Sequence, residues 1–195
     1  NPSTSTSAAV TPGTSFATGA IWDPDNGSYG INTLKDLEDF RDRVNGANSY
    51  TADTFSGITV TLEADIDLSS IANWTPIGNG YRSGGSPAGN TFKGIFDGQG
   101  NKILNLTIND SNGGGGKADY AYGFFGAVNG DNYNGTQTSG PSGIIKNLVF
   151  DNVSVSVPGN ELTGAVIGFL GNDGTADNIT VTGGNVTAAT CGGVV

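Results

Sequence analysis

Eighteen Asp and Glu side chains stand against eight Lys and Arg in a chain of 195 residues, with no histidine and a single cysteine, Cys191. Without histidine this chain can assemble neither a Ser-His-Asp nor a Cys-His nucleophile, nor a His-ligated zinc site. One cysteine makes no internal disulfide. The remaining chemistry belongs to carboxylates, amides and phenols. Asp23-Pro24-Asp25-Asn26-Gly27 has the opening of a calcium loop but lacks the third alternating ligand and the closing glutamate. An acidic turn before a helix is the alternative reading. Asp65 and Asp67 lie two apart in an alternating stretch, so on one strand they share a face. Paired carboxylates there could hold calcium or serve glycoside hydrolysis, or simply form the polar face of a half-buried strand. Asp97, in Phe96-Asp97-Gly98-Gln99-Gly100, reads either as an acid or calcium ligand or as a turn residue bonding backbone N–H groups. Calcium, through Asp23, Asp25, Asp65 and Asp67, is the one cofactor left open, and none is required.

Tyrosines offer a second kind of chemistry. Tyr81, Tyr120, Tyr122 and Tyr133 fall in or near loops, where an exposed phenol can stack on a sugar ring or anchor a protein partner. Two long loops, 80–90 and 129–143, could carry such a site. A net charge of −10 without a basic block excludes nucleic acid as a partner. No apolar run approaches the roughly 20 residues of a membrane span. The pattern Asn-x-Ser/Thr recurs at Asn26, Asn73, Asn105, Asn109, Asn134, Asn152, Asn178 and Asn185, which a chain so rich in Asn, Ser and Thr generates by composition alone.

These groups must be held by elements that the spacing predicts. Residues 1–20 form a Ser/Thr/Ala/Pro/Gly-rich leader, and residues 21–195 a single domain. Thr33 can cap a helix over about 33–45, in which Leu34, Leu37, Phe40 and Val44 recur at helical spacing before Asn45-Gly46 ends it. From about residue 57 the period falls to two: Ile58 to Leu68 reads as one half-buried strand or two short ones, and after it short strands alternate with Gly, Asn and Asp turns. Two elements repeat. Ile103-Leu104-Asn105-Leu106 returns at Ile145-Lys146-Asn147-Leu148 and at Ala176-Asp177-Asn178-Ile179. Gly123-Phe124-Phe125-Gly126 returns at Ala165-Val166-Ile167-Gly168, and opens again at Gly193-Val194. Strands that recur with elastic loops predict a solenoid: an all-β, right-handed parallel β-helix with one N-terminal capping α-helix, continuing beyond residue 195. Its 33 glycines would serve the corners. Asn105, Asn147 and Asn178 would form a side-chain ladder, Gly126 and Gly168 would recur as structural glycines, and Trp74 would be core. A β-sandwich is the competing fold.

An ordered series of blocks adds a resemblance. It comprises Tyr29-Gly30-Ile31-Asn32-Thr33-Leu34-Lys35-Asp36-Leu37, Val60-Thr61-Leu62-Glu63-Ala64-Asp65-Ile66-Asp67-Leu68, Trp74-Thr75-Pro76-Ile77-Gly78, Phe92 to Ile103 and Gly123-Phe124-Phe125-Gly126. Over residues 20 to 195 the chain resembles bacterial cell-surface proteins built from GLUG-motif repeats, many of them labelled adhesins. The resemblance implies a parallel β-helix, exported and displayed on the cell surface as a module of a larger protein, without catalytic residues. The expected function is then non-enzymatic adhesion, or binding of a host or environmental glycan or protein. A structural subunit joined end to end with neighbouring copies into a filament or array is the alternative. A polysaccharide lyase or hydrolase is the third reading, disfavoured because two of the three arginines, Arg41 and Arg43, fall on the helix.

Overall fold

The computed structural model describes residues 22–78, 81–83, 86–88, 90–110, 120–128, 142–159, 162–171 and 173–195. Residues 1–20, read from the sequence as a leader, lie outside these. Local sequence sets the first element. Helix α1 (Leu34–Asn45) starts in a reciprocal capping box. The Thr33 hydroxyl accepts from the Asp36 N–H at 3.2 Å, and the Asp36 carboxylate accepts from the Thr33 N–H at 2.9 Å. Gly46, at φ +62°, ends the helix. Leu37, Phe40 and Val44 are fully buried. Phe40 packs against the rings of Trp22, Phe55, Phe92 and Phe96, so the helix closes one end of an aromatic core.

The strands, in chain order, are β1 (Trp22–Asp23), β2 (Ser28–Ile31), β3 (Thr59–Leu62), β4 (Ile66–Asp67), β5 (Tyr81–Ser83), β6 (Ser86–Ala88), β7 (Ile95–Asp97) and β8 (Lys102–Leu104). They continue as β9 (Thr107–Asn109), β10 (Ala121–Tyr122), β11 (Phe125–Val128), β12 (Ile144–Val157), β13 (Leu162–Thr163), β14 (Ile167–Leu170) and β15 (Thr175–Ala188). Nine of them form one sheet organised around β12. One edge of β12 pairs in parallel with β7, β8 and β9 in succession, and β15 pairs in parallel along nearly its whole length. Two further parallel pairs are β10–β13 and β11–β14.

The expected right-handed parallel β-helix is corrected by this arrangement. The class is strand-rich with one helix, but the main sheet is mixed and no closed solenoid is formed by the described residues. β1 runs antiparallel to β2, β5 and β6 form an antiparallel hairpin, and the strands divide among four separate sheets. The rows are also unequal: three strands of three residues each face one unbroken strand of 14. A repeat seen in short strand motifs carries no information on how intervening turns break a row. The alternating stretch Ile58 to Leu68, read from the sequence as one strand or two short ones, forms two, β3 and β4, with Glu63 to Asp65 between them.

Side chains from these sheets meet in one apolar core. Trp74 stacks on Phe124 at 5.3 Å with the planes 5° apart, and Phe124 meets Phe125 and Phe150 edge to face. Each large ring withdrawn from water contributes about 2–3 kcal/mol, so this cluster is the main cohesive element. At the corners the backbone turns through the left-handed region at Asn105 (φ +58°), Asn147 (+54°), Asn152 (+60°) and Asn178 (+51°). Asparagine tolerates this region better than most residues, and its amide both donates and accepts. Two ladders result. The Asn147 amide donates to Asp97 at 3.0 Å and accepts from Asn178 at 2.9 Å. The Asn105 amide donates to Asp67 at 2.8 Å and accepts from Asn152 at 2.8 Å. The single ladder expected of Asn105, Asn147 and Asn178 is thus divided, because Leu104 is in register with Asp151 and so Asn105 sits beside Asn152.

Candidate functional site

Among the sequence candidates, the structure brings Tyr120 and Tyr122 together, at the mouth of a cleft of about 540 Å³. Its other walls are Asn73 to Pro76, Ile108, Asn109, Asp110 and Ala121. Three segments meet there: the loop after β4, the end of β9, and the start of β10. The first two are held by hydrogen bonds to residues distant in the sequence. Asn73 grips Asn109 twice, its amide donating to the carbonyl at 3.0 Å and its Oδ1 accepting the N–H at 2.9 Å. The Trp74 N–H donates to the Thr107 carbonyl at 2.8 Å, and the Asp110 N–H to the Ser156 carbonyl at 2.9 Å. Pro76 is fixed from the helix end, where the buried Asn45 amide donates to its carbonyl at 2.9 Å.

The floor is apolar. Trp74 is buried, its indole N–H donates to the Phe124 carbonyl at 3.1 Å, and the Arg41 guanidinium lies 4.9 Å from its ring centre. The polar part of the lining is Asn73, Thr75, Asn109, Asp110 and the two tyrosines. The Tyr122 hydroxyl donates to the Asp110 carboxylate at 2.7 Å. Burial, and then this bond, pushes the Tyr122 phenol well above the usual tyrosine range. Its one O–H is committed to Asp110, which leaves the phenol oxygen as an acceptor. A half-buried phenol, a carboxylate and a frame of amides above an apolar floor suit a ring that carries hydroxyl groups.

The other candidates are placed elsewhere. Asp23 accepts from the Asn26 amide at 2.7 Å, whereas Asp25 pairs with Arg43 at 3.1 Å. Asp65 precedes β4 and accepts the Lys102 N–H at 2.8 Å, while Asp67 accepts from the Ser69 N–H and Asn105. The Asn105 amide, followed by the Ser69 N–H, lowers the Asp67 pKa. The two carboxylates expected on one strand face therefore serve different backbone and side-chain partners. Asp97 holds a turn, accepting the Gln99 N–H at 3.0 Å, and pairs with Lys146 at 3.1 Å. Burial works to raise its pKa, but Asn147, the Gln99 N–H and Lys146 outweigh it, and the net displacement is downward. Among the described residues, no group of three His, Cys, Asp or Glu could hold a metal ion, and no helix is long and apolar enough to cross a membrane.

For Tyr81 only the backbone is described, paired with Ala88 in the β5–β6 hairpin, and Tyr133 lies outside the described residues. Gly126 and Gly168 sit side by side in β11 and β14. A Cβ on Gly126 would stand 2.4 Å from the Gly78 carbonyl oxygen, and one on Gly168 would stand 2.5 Å from the Tyr122 nitrogen. Cys191 is exposed. Sequence reasoning passed over Asp110 as a site residue. The available signal was that Asn73 and Asn109 each begin one of the Asn-x-Ser/Thr patterns, and the structure bonds these two to each other. No family model, curated protein or solved structure matches the chain.

Proposed function

We propose that the chain is a non-enzymatic binding module of an exported, cell-surface protein, and that it takes a neutral glycan in the Tyr120–Tyr122–Asp110 cleft. The observation that carries this reading is the joining of two tyrosines to Asn109 and Asp110 in a frame already fixed by Asn73 and Asn45. Preformed polar groups over an apolar floor recognise a hydroxylated ring with little ordering cost. The net charge of −10 disfavours acidic polysaccharides and favours neutral ones. A binding role fits better than hydrolysis, because Asp110 is the one carboxylate among the described lining residues and glycoside cleavage uses a pair. The GLUG-like blocks support display on a bacterial surface.

The test is a panel of neutral oligosaccharides screened by calorimetry and by chemical-shift mapping. A binder should perturb Tyr120, Tyr122 and Asn109, and Tyr120→Ala should weaken it about tenfold. Binding that Tyr120→Ala leaves unchanged, or no binding by any neutral glycan, would overturn the reading.

A further inference from the structure

We propose that the edge of β15 seats a second copy of this chain, the two joined strand to strand about a twofold axis through the Gly183–Gly184 pair. The first observation is an interrupted core. Leu148, Phe150, Val155 and Val157 of β12 are fully or almost fully buried, at 0–1% exposure. Their partners in register on β15 are Ile179, Val181, Val186 and Ala188, which remain only partly buried. Below them opens a groove of about 550 Å³ lined by Val153, Ala165, Val181, Val186 and Val194. Among the described residues, β15 pairs with β12 on one edge and no strand pairs with the other.

The second observation identifies the occupant. Read outward from the two glycines, β15 has the same pattern in both directions. Thr182, Val181, Thr180 and Ile179 run one way, and Asn185, Val186, Thr187 and Ala188 run the other. A strand with this symmetry is complementary to itself when run antiparallel. Val181 then faces Val186 of the other copy, Ile179 faces Ala188, and Thr180 faces Thr187. Gly183 and Gly184, at φ +74° and +121°, form the corner of the strand. An axis through that corner exchanges the two arms and keeps every apolar side chain facing inward. Exposed edges are usually blunted by lysine, proline or an inward charge, and Asn178 to Ala188 contains none of these. Such a contact is isologous, so it closes at two copies instead of propagating. It is independent of the Tyr120–Tyr122 cleft.

The experiment is light scattering coupled to size exclusion on the 195-residue chain. A dimer is expected at micromolar concentration. Thr180 and Thr187 are exposed, so Thr180→Lys with Thr187→Lys should leave the circular dichroism unchanged while setting like charges opposite each other at two sites. Association should weaken at least about fivefold. Mixing that variant with one carrying Thr180→Glu and Thr187→Glu should restore a dimer made of one chain of each kind. A strictly monomeric wild type overturns the proposal and leaves the edge to another segment or another partner. A dimer indifferent to the lysine pair overturns it as well, since the contact then lies on a different face.

Discussion

Replacing Asn147 tests how a corner of this fold is held. Its amide donates to the Asp97 carboxylate at 3.0 Å and accepts from Asn178 at 2.9 Å, and its backbone is held at φ +54°. Asn147→Ala removes both bonds and leaves a Cβ in the left-handed region. Loss of the charge-assisted bond to Asp97 costs about 1.5 kcal/mol, and loss of the exposed amide pair about 0.5. Holding alanine at positive φ adds about 1 kcal/mol. The expected destabilisation is about 3 kcal/mol for alanine and about 2 for Asn147→Gly, which loses the same bonds without the conformational strain. Urea denaturation followed through Trp22 and Trp74 fluorescence measures both.

The cost should also depend on pH. Asp97 has a lowered pKa in the folded chain, so its contribution is present above the ordinary carboxylate range and is lost as pH falls through the lowered value. The gap between wild type and Asn147→Ala should therefore narrow below about pH 4. Equal costs for alanine and glycine would refute the backbone part of this reasoning, and a gap insensitive to acid would refute the part assigned to Asp97.

Two further outcomes are expected. Gly126→Ala places a Cβ 2.4 Å from the Gly78 carbonyl and 2.9 Å from that of Ala121, backbone atoms on both sides. It should cost about 3 kcal/mol or more in thermal and urea unfolding, whereas Gly193→Ala, which meets nothing within 4 Å, should be nearly silent. In a spectrophotometric titration near 295 nm, the Tyr122 phenol should stay protonated through the usual range near pH 10, and Tyr122→Phe should remove that late contribution from the wild-type curve.

Much of the local structure was legible in the residues. Thr33 announced a helix cap and Asn45-Gly46 its end, and most of the left-handed positions fall on Asn and Gly as the preferences of those residues require, Ser49, Phe55, Gln99 and Asp173 being the others. The register was not legible. Asn105 and Asn147 are each followed by Leu, so self-similarity aligned them. β12, however, carries two left-handed asparagines, Asn147 and Asn152, and the length of the 98–101 turn decides which one Asn105 meets. The closed solenoid was an extrapolation from the same motifs, blind to the antiparallel β1–β2 pair and to the hairpin. In the cleft, Tyr120 and Tyr122 were visible as loop aromatics. Asp110 was not, because its role depends on Tyr122 and on the Asn73 loop folding over β9, and neither contact has a period to detect. Asp65 and Asp67 are separated by a break in the strand through which the alternation continues, so the pattern alone does not reveal their different partners.

The central position of β12 has a consequence for how the chain acquires this structure. β7, β8 and β9 are too short to persist as isolated ladders, and each is templated by a segment more than thirty positions later. β7 and β8 also pair with the earlier β3 and β4, but their second edges, and β9, are completed only when residues 144–157 become available. Non-local pairing of this kind makes for slow folding and for a vulnerable interval during synthesis. The early helix and its cluster of rings around Phe40 are the part able to organise first, a nucleus that shelters hydrophobic surface while the rest of the chain arrives.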